Sequence, residues 1–199
     1  MKGKQLKALK LRNKRLIKRY PFTTPVDWYG KLMPPKRHNY MFTAWDDMPD
    51  GWRKAFGRYL AEDIDKALKA DGINPRDFYF HQIKEKYGSL RMYANMSADN
   101  VDRVIDTYSQ ISENVCIMCG RPDVSVINTG WISPICKRCY YKSPSSLDCE
   151  KVPYEKVVCS DSVIKESYIV IRYGKSITKE VVNISETVQK IRKKRKWVD

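Results

Sequence analysis

The sequence contains little histidine and none of the motifs that mark the common enzyme classes. Its two histidines are His38, in a segment rich in proline and lysine, and His81, among aromatic strand residues where a packed histidine is expected. It has no glycine-rich nucleotide-binding motif, no G-x-S-x-G turn and no H-E-x-x-H helix. The acidic cluster at 46–50 would suit the divalent metal of a nuclease, but the start of a helix explains it more simply. We therefore predict that the protein is not an enzyme.

The sequence also lacks an apolar run long enough to cross a bilayer, so we expect no membrane partner. No apolar segment follows the charged N-terminus as it would in a secretory signal. The chain has six cysteines, and in the absence of such a signal they favour a reducing compartment and metal binding over disulfides. The expected location is the cytoplasm.

Four of the six cysteines form two C-x-x-C pairs. Cys116 and Cys119 make the first pair, sixteen residues follow, and Cys136 and Cys139 make the second. This spacing matches the template of a zinc site. A centre of four thiolates is tetrahedral and full, whereas a catalytic zinc keeps an open position. We predict a structural zinc ribbon over 116–140, with disulfides or an iron–sulfur cluster as the alternatives.

Acidic side chains are nearly absent from the two ends of the chain. The net charge is +15, and residues 1–20 hold nine Lys and Arg with no acid, while residues 190–199 hold six against Asp199. The intervening residues, with 23 basic and 22 acidic side chains, are close to neutral. This is the pattern of cationic arms that bind polyanions, although such ends can also serve only solubility. The candidate contacts in the arms are Lys10, Arg12, Lys14, Arg15, Lys18, Arg19, Lys193, Lys194 and Arg195.

Apolar periodicity predicts three helices before the metal motif. The first covers 4–20, and its stripe consists of Leu6, Leu9, Asn13, Leu16 and Tyr20. The second covers about 50–70 and stops at Gly72, and the third is capped by Ser97 and runs to the first cysteine pair. Between the first two, residues 21–48 are rich in proline and aromatic residues and predict an ordered loop wrapped on the core.

Residues 77–94 predict a β-hairpin with a turn at Tyr87-Gly88-Ser89. Strict alternation would place Phe78 and Phe80 on one face and Tyr79, His81 and Ile83 on the other. The tip mixes cations with aromatic rings, which suits nucleic acid, although a solvated tip explains the mixture equally well. In the ribbon, the largest loop side chain is that of Trp131. It either packs over the ribbon or presents its ring to a partner. These candidate partner contacts are Lys84, Lys86, Tyr87, Arg91 and Trp131.

After the second cysteine pair the sequence changes character. Two β-branched runs separated by Gly174-Lys175 predict a second hairpin, and Ser185 predicts the start of a last helix that enters the basic tail. Cys149 and Cys159 make only half of a zinc site, so we interpret them as ordinary thiols.

Three stretches together resemble a group of small proteins encoded by bacteriophages, prophages and mobile elements. They are DDMPDGWRKAFG, IKEKYGSLRMY, and CIMCG with GWISPICKRC. That group combines a helix, a K-[EF]-K-[YF]-G-x-L-R-x-Y hairpin, a second helix and a four-Cys ribbon, and the resemblance covers about residues 12–140. It implies a phage or mobile-element origin and a location in the cytoplasm of a bacterial host cell, and it carries no established activity.

The predicted fold class is α+β, with two helices and a β-hairpin, a four-Cys zinc ribbon, and a small C-terminal hairpin-plus-helix extension. We predict a non-enzymatic protein that binds nucleic acid or a host nucleoprotein complex. The alternative is a phage inhibitor of a host defence system, such as an anti-CRISPR protein, that blocks a nucleoprotein effector. The predicted segments are a basic N-terminal helical arm (1–20), an α+β core (21–115), the zinc ribbon (116–140), a C-terminal extension (141–189) and a basic tail (190–199).

Overall fold

The computed structural model describes residues 3–122, 124–128 and 131–142, together with two short strands at 168–171 and 180–183. Within these residues the fold combines helices with antiparallel hairpins, which confirms the α+β class. The two C-terminal strands pair with each other, as the sequence predicted. The predicted last helix, Cys149, Cys159 and the basic tail with Lys193, Lys194 and Arg195 lie outside the described residues.

Five helices and six strands follow one another along the described residues, and each sheet has two antiparallel strands, β1 with β2, β3 with β4 and β5 with β6. Short 3-10 turns lie at Pro21–Thr23 and Ala44–Asp47. The helices are α1 (Gly3–Arg19), α2 (Pro35–His38), α3 (Asp50–Ala70), α4 (Asp99–Glu113) and α5 (Lys137–Lys142). The strands are β1 (Phe80–Lys86), β2 (Ser89–Ala94), β3 (Ser125–Asn128), β4 (Ile132–Ile135), β5 (Tyr168–Ile171) and β6 (Glu180–Asn183).

Helix α3 forms the centre of the core. Its apolar side chains recur at helical spacing, and Trp52, Phe56 and Leu60 are fully buried. Gly72, at φ +70°, ends the helix in the left-handed conformation that glycine adopts at low cost. Helix α4 and the buried face of the β1–β2 hairpin pack around it, so the predicted two-helix-and-hairpin core is confirmed.

Helix α1 is not a free arm, and the prediction of an arm at 1–20 is corrected here. Asn13, at 1% exposure, donates a hydrogen bond from Nδ2 to the backbone carbonyl of Tyr40 at 3.0 Å. Leu16 packs against the core and Tyr20 is buried in it. The stripe that the sequence shows is therefore a packing surface, and its burial outweighs the repulsion among the cations on the other face.

The β1–β2 hairpin turns through Tyr87 and Gly88, which both have positive φ. Two such residues make the tight turn that matches the twist of a hairpin. The pairing shifts register between Phe80 and Gln82, so His81 is an extra residue that bulges from the strand. The predicted facing is therefore wrong for Ile83, which is buried as Phe80 is. The separate expectation of a packed His81 is also corrected, because the side chain is exposed and only its ring edge meets Tyr79, with centroids 5.1 Å apart.

The loop at 21–48 wraps on the core, as predicted. Phe22 and Trp45 are buried with ring centroids 5.9 Å apart, and the Trp45 indole N–H donates to the carbonyl of Gly57 at 2.7 Å. In contrast, Trp28 and Tyr29 stand at the exposed end of a turn, 95% and 83% exposed. Aromatic content alone did not distinguish these two positions from the buried ones.

The cap of helix α4 differs from the prediction. Ala98 holds the N-cap position, and the hydroxyl of Ser97 donates to Asp102 at 2.6 Å instead of capping. The carboxylate of Asp71 accepts hydrogen bonds from the first-turn N–H groups of Asn100 at 3.0 Å and Val101 at 3.3 Å. The end of α3 thus satisfies the positive end of the α4 dipole.

His38 gives stability a dependence on pH. The side chain is 2% exposed, and its Nδ1 accepts a hydrogen bond from the backbone N–H of Tyr40 at 3.0 Å. Burial lowers the pKa of His38 because the imidazolium cation loses its hydration. The unfolded chain therefore takes up a proton at higher pH than the folded chain. The free energy of unfolding should fall as the pH drops below the unfolded value of about 6.5.

We expect the His38→Asn variant to lose less stability than the parent protein between about pH 7.5 and about pH 5, because the amide does not titrate and its oxygen can accept the same hydrogen bond. Denaturant unfolding at a series of pH values measures both proteins. Equal slopes for the parent and His38→Asn would contradict the assignment.

Candidate functional site

The four cysteines of the two C-x-x-C pairs meet at one point. Their sulfurs all lie within 4.8 Å of one another, and the sulfurs of Cys119 and Cys136 are 3.7 Å apart. A tetrahedral centre with metal–sulfur bonds of about 2.3 Å places its sulfurs about 3.8 Å apart, whereas a disulfide needs about 2.05 Å. The four cysteines are free thiols in the structure. The arrangement can therefore hold a metal ion, and it does not fit the disulfide alternative.

The first C-x-x-C pair is folded as a tight knuckle by its own backbone. The N–H of Gly120 donates to the carbonyl of Cys116 at 2.8 Å, and the N–H of Cys116 donates to the carbonyl of Arg121 at 2.8 Å. Gly120 has φ +76°, which only glycine adopts without strain. The β3–β4 hairpin brings Cys136 back beside Cys116.

The pKa values of Cys116, Cys119 and Cys139 are shifted, and not all in the same direction. Burial alone would raise the pKa of Cys116, but backbone N–H groups, first among them that of Cys136, bond its sulfur and the pKa lies below its usual value. The pKa values of Cys119 and Cys139 are raised, chiefly by burial and further by the negative charge of Cys116. The cluster therefore favours ionisation of one thiol and opposes ionisation of its neighbours. A divalent cation suits such a cluster because it compensates several negative charges at once.

The knuckle is attached to the core by a contact between two stretches of backbone. The N–H of Gly51, in the first turn of α3, donates to the carbonyl of Ile117 at 2.9 Å, and the Trp52 indole donates to the carbonyl of Val115 at 2.8 Å. A Cβ on Gly51 would overlap the carbonyl oxygen of Cys116 and lie 2.5 Å from that of Ile117. Gly51 was not among the predicted site residues, although a glycine inside a predicted helix is a signal of close backbone approach.

The ribbon also contacts the tip of the β1–β2 hairpin. The indole N–H of Trp131 donates to Glu85 Oε2 at 3.1 Å, and Glu85 Oε1 accepts the turn N–H of Gly88 at 2.6 Å. A Cβ on Gly88 would be in ordinary contact with Ile132, at 3.5 Å. The structure thus links Trp131, through Glu85, to the hairpin turn that contains Tyr87. Glu85, which links them, was not among the predicted site residues.

The outward face of the hairpin combines cations and rings. Lys84 Nζ lies 5.2 Å from the centroid of Tyr93, and Lys86 Nζ lies 5.3 Å from the centroid of Tyr87. Tyr87 is 72% exposed and Tyr93 45%. Arg91 is exposed and pairs across the strands with Lys84. All of the hairpin residues named from the sequence therefore share this face or its tip.

The predicted contacts on α1 form a different surface. Arg12, Lys14, Arg15, Lys18 and Arg19 are exposed, and Lys10 is half-buried. Lys14 Nζ lies 5.8 Å from the ring centroid of Tyr40, and Arg19 Nη2 lies 3.8 Å from Glu62 Oε1. These cations project from the helix that packs on the core, so they are positioned by the fold.

The acidic cluster that would suit a nuclease has a structural role. Asp46 closes a capping box with Thr43, whose backbone N–H it accepts at 2.6 Å. Asp46 and Asp50 both form ion pairs with Arg53. Burial, and then the neighbouring charge of Asp46, raise the pKa of Asp47. Asp46 therefore caps the 3-10 turn rather than α3, whose N-cap is Pro49 without a side-chain cap. The capping expected at the start of α3 is replaced by ion pairs with Arg53 in its first turn.

Comparison with known proteins yields no match among family models, curated proteins or solved structures. The resemblance to phage and mobile-element proteins therefore stays a prediction. Among the described helices, none has the length and apolar character required to span a bilayer.

Two glycines of the same helix offer a direct test of the contact between core and ribbon. A Gly→Ala change inside a helix normally stabilises it by about 0.5–1 kcal/mol. Gly51→Ala should instead lower the free energy of unfolding by about 1–3 kcal/mol, because the added methyl meets backbone that cannot move aside. Gly57→Ala is the control, since its nearest contact would be an ordinary 3.4 Å from Trp45. Denaturant unfolding measures both, and equal effects at the two positions would refute the argument.

Proposed function

We propose that the protein is a non-enzymatic zinc protein that binds nucleic acid. The four-Cys centre holds one zinc ion, and the ribbon that it stabilises supports the basic, aromatic surface of the β1–β2 hairpin. The proposal places the protein in the cytoplasm of a bacterial host cell and gives it a phage or mobile-element origin.

Zinc is the metal that the ligand set favours. Four thiolates are soft donors, and a tetrahedral site of this kind selects zinc or iron–sulfur chemistry. Sulfurs that lie within 4.8 Å of one another leave space for a single ion rather than for a cluster of several iron and sulfide ions. With four protein ligands the ion is coordinatively full, so its contribution is to folding rather than to a reaction.

The nucleic-acid proposal rests on one observation: on one face and the tip of the hairpin, lysine ammonium groups lie over exposed tyrosine rings. Lys84 with Tyr93 and Lys86 with Tyr87 each offer a cation beside a flat ring. Proteins that bind single strands combine these two elements: rings stack on bases and cations neutralise the phosphates between them. Arg91 adds a third exposed cation on the same face.

The ribbon gives this surface a fixed shape. The bond from Trp131 to Glu85 joins the ribbon loop to the hairpin tip, and the bond from Gly88 to Glu85 closes the turn. Trp131 remains 67% exposed, so its ring is available to a partner while its indole N–H bonds Glu85. A surface held in its binding conformation before the partner arrives loses less conformational entropy on binding.

The first prediction from this proposal concerns the metal. Elemental analysis should find one zinc per chain, and Cys136→Ser should lose it and unfold at a lower temperature, because zinc binding contributes folding free energy in such sites. Cys149→Ser serves as the matched thiol control and should keep both zinc content and melting temperature. A purified protein without zinc, or Cys136→Ser with full zinc content and stability, would exclude the proposed centre.

The second prediction concerns the hairpin face. Lys84→Gln/Lys86→Gln should weaken binding to a single-stranded oligonucleotide and reduce the slope of log affinity against log salt by up to about 1.4, since each lost phosphate contact removes about 0.7. Tyr87→Asn should weaken binding by about 1–3 kcal/mol, because a stacked ring is lost, while asparagine tolerates the positive φ of this turn. Fluorescence anisotropy from about 50 to about 200 mM salt measures both effects.

Lys66→Gln/Lys69→Gln, on the exposed face of α3, is the charge-matched control and should leave the salt slope almost unchanged. Equal slopes for the two double variants would show that only net charge attracts the nucleic acid.

Capture from a bacterial lysate, with and without nuclease, separates direct nucleic-acid binding from the alternative function of an inhibitor. Nucleic acid that is lost after nuclease treatment supports direct binding, whereas a retained host protein indicates an inhibitor of a nucleoprotein complex.

A further inference from the structure

A cleft of about 600 Å³ lies between α1 and the start of α3. This volume falls within the range of sites for small ligands, about 300–1,000 Å³. None of the residues that line the cleft belongs to the hairpin face described above. The charged residues around the cleft are mainly cations from both helices: Arg12, Arg15, Arg19, Arg53, Lys54 and Arg58.

The acidic side chains near the cleft pair with four of its six cations, Lys54 with Asp50 among them, and leave two unpaired within the described residues. Asp46 is the one carboxylate among the residues that line it, and Asp46 already forms an ion pair with Arg53. Glu62 accepts from Arg58 at 3.0 Å and lies 3.8 Å from Arg19. Within the described part of the chain, Arg12 and Arg15 form no ion pair with a carboxylate. Two guanidinium groups therefore remain available to an anion.

Arg12 is held in place without being neutralised. Its Nε and Nη2 atoms donate to the amide oxygen of Asn13 at 3.3 and 3.2 Å. Asn13 is fixed in turn by its bond to the carbonyl of Tyr40, and it is almost fully buried. A structural ion pair would satisfy this guanidinium with a carboxylate. A neutral amide orients it and leaves its charge to act on a ligand.

The lining of the cleft contains a further hydrogen-bond donor. Tyr20 is 4% exposed, and its hydroxyl makes no hydrogen bond with any described residue. A tyrosine hydroxyl carries its proton at neutral pH, and burial raises the pKa of Tyr20 further. Buried hydroxyl groups in native proteins are almost always hydrogen-bonded, and an acceptor from a ligand would complete this one.

We propose that the cleft between α1 and α3 binds a phosphorylated ligand of about nucleotide size, with Arg12 and Arg15 as its principal phosphate contacts. Planar guanidinium groups form paired hydrogen bonds with phosphate oxygens, and five of the six cations are arginine. A phosphate group carries more charge than a carboxylate, which suits a site where several arginines converge. The phosphate can belong to a free nucleotide or polyphosphate, or to the end of a nucleic-acid strand.

The test uses the full chain and three probes: tripolyphosphate, ATP, and an oligonucleotide with either a 5′-phosphate or a 5′-hydroxyl. Isothermal titration measures the parent, Arg12→Gln/Arg15→Gln, and the control Lys4→Gln/Lys7→Gln, which removes two exposed charges from the same helix outside the cleft. Arg12→Gln/Arg15→Gln should bind the relevant probe at least about tenfold more weakly, as expected for lost charge-assisted hydrogen bonds. The control should remain close to the parent.

Binding of tripolyphosphate and ATP that depends on Arg12 and Arg15 supports a free phosphorylated ligand. Binding confined to the 5′-phosphorylated oligonucleotide, with the same dependence, supports a strand end. The proposal is overturned if no probe binds saturably, or if the variant and the control lose affinity equally. Both altered pairs are exposed, and melting curves confirm that the variants are folded. Loss of hairpin binding in Lys84→Gln/Lys86→Gln leaves this site unaffected, so the two proposals fail separately.

Discussion

The contact between Gly51 and the first cysteine knuckle determines how the rest of the molecule is arranged. At this point the start of α3 and the backbone of Cys116 and Ile117 approach so closely that no side chain fits between them. The indole of Trp52, at the centre of the core, donates to Val115 immediately before the knuckle. The cysteine ribbon has small apolar clusters of its own, and its first knuckle is joined directly to the core at Val115 and Ile117. Closing the four cysteines around an ion would fix the same backbone that α3 packs against.

The β1–β2 hairpin is held from two sides as a consequence. On one side the backbone N–H of Leu90 donates to the hydroxyl of Ser112, near the end of α4, at 2.8 Å. On the other side the ribbon reaches the hairpin tip through Trp131 and Glu85. Helix α4 leads directly into the knuckle, so both supports start from the cysteine centre. On the proposal above, this connection lets a metal without an open coordination position stabilise the hairpin surface.

The features that the sequence predicted correctly depend on residues close together in the chain. The apolar stripe of α3, the spacing of the cysteine pairs and the Tyr87-Gly88 turn are of this kind, because helical period, knuckle geometry and turn conformation are local. The features that it missed join distant residues: Asp71 caps α4, Glu85 links the hairpin to Trp131, and Gly51 meets the knuckle. The description of 1–20 as an arm failed for another reason. Its charge was given more weight than the apolar stripe on the same helix, and the structure shows that the stripe decides where the helix lies.

The two candidate surfaces differ in how their cations are held, and this difference bears on what each can recognise. On the hairpin, Lys84 and Lys86 lie over tyrosine rings, and a flexible ammonium beside a flat ring tolerates many bases and backbone geometries. In the cleft, Arg12 is oriented by Asn13. A guanidinium with a fixed orientation donates well only to a phosphate whose oxygens lie in line with its free N–H groups. On the proposals above, the hairpin supplies general affinity for a strand, while the cleft selects a particular phosphate. A site that selects one phosphate position needs a rigid frame. The packing of α1 through Asn13, Leu16 and Tyr20 provides it.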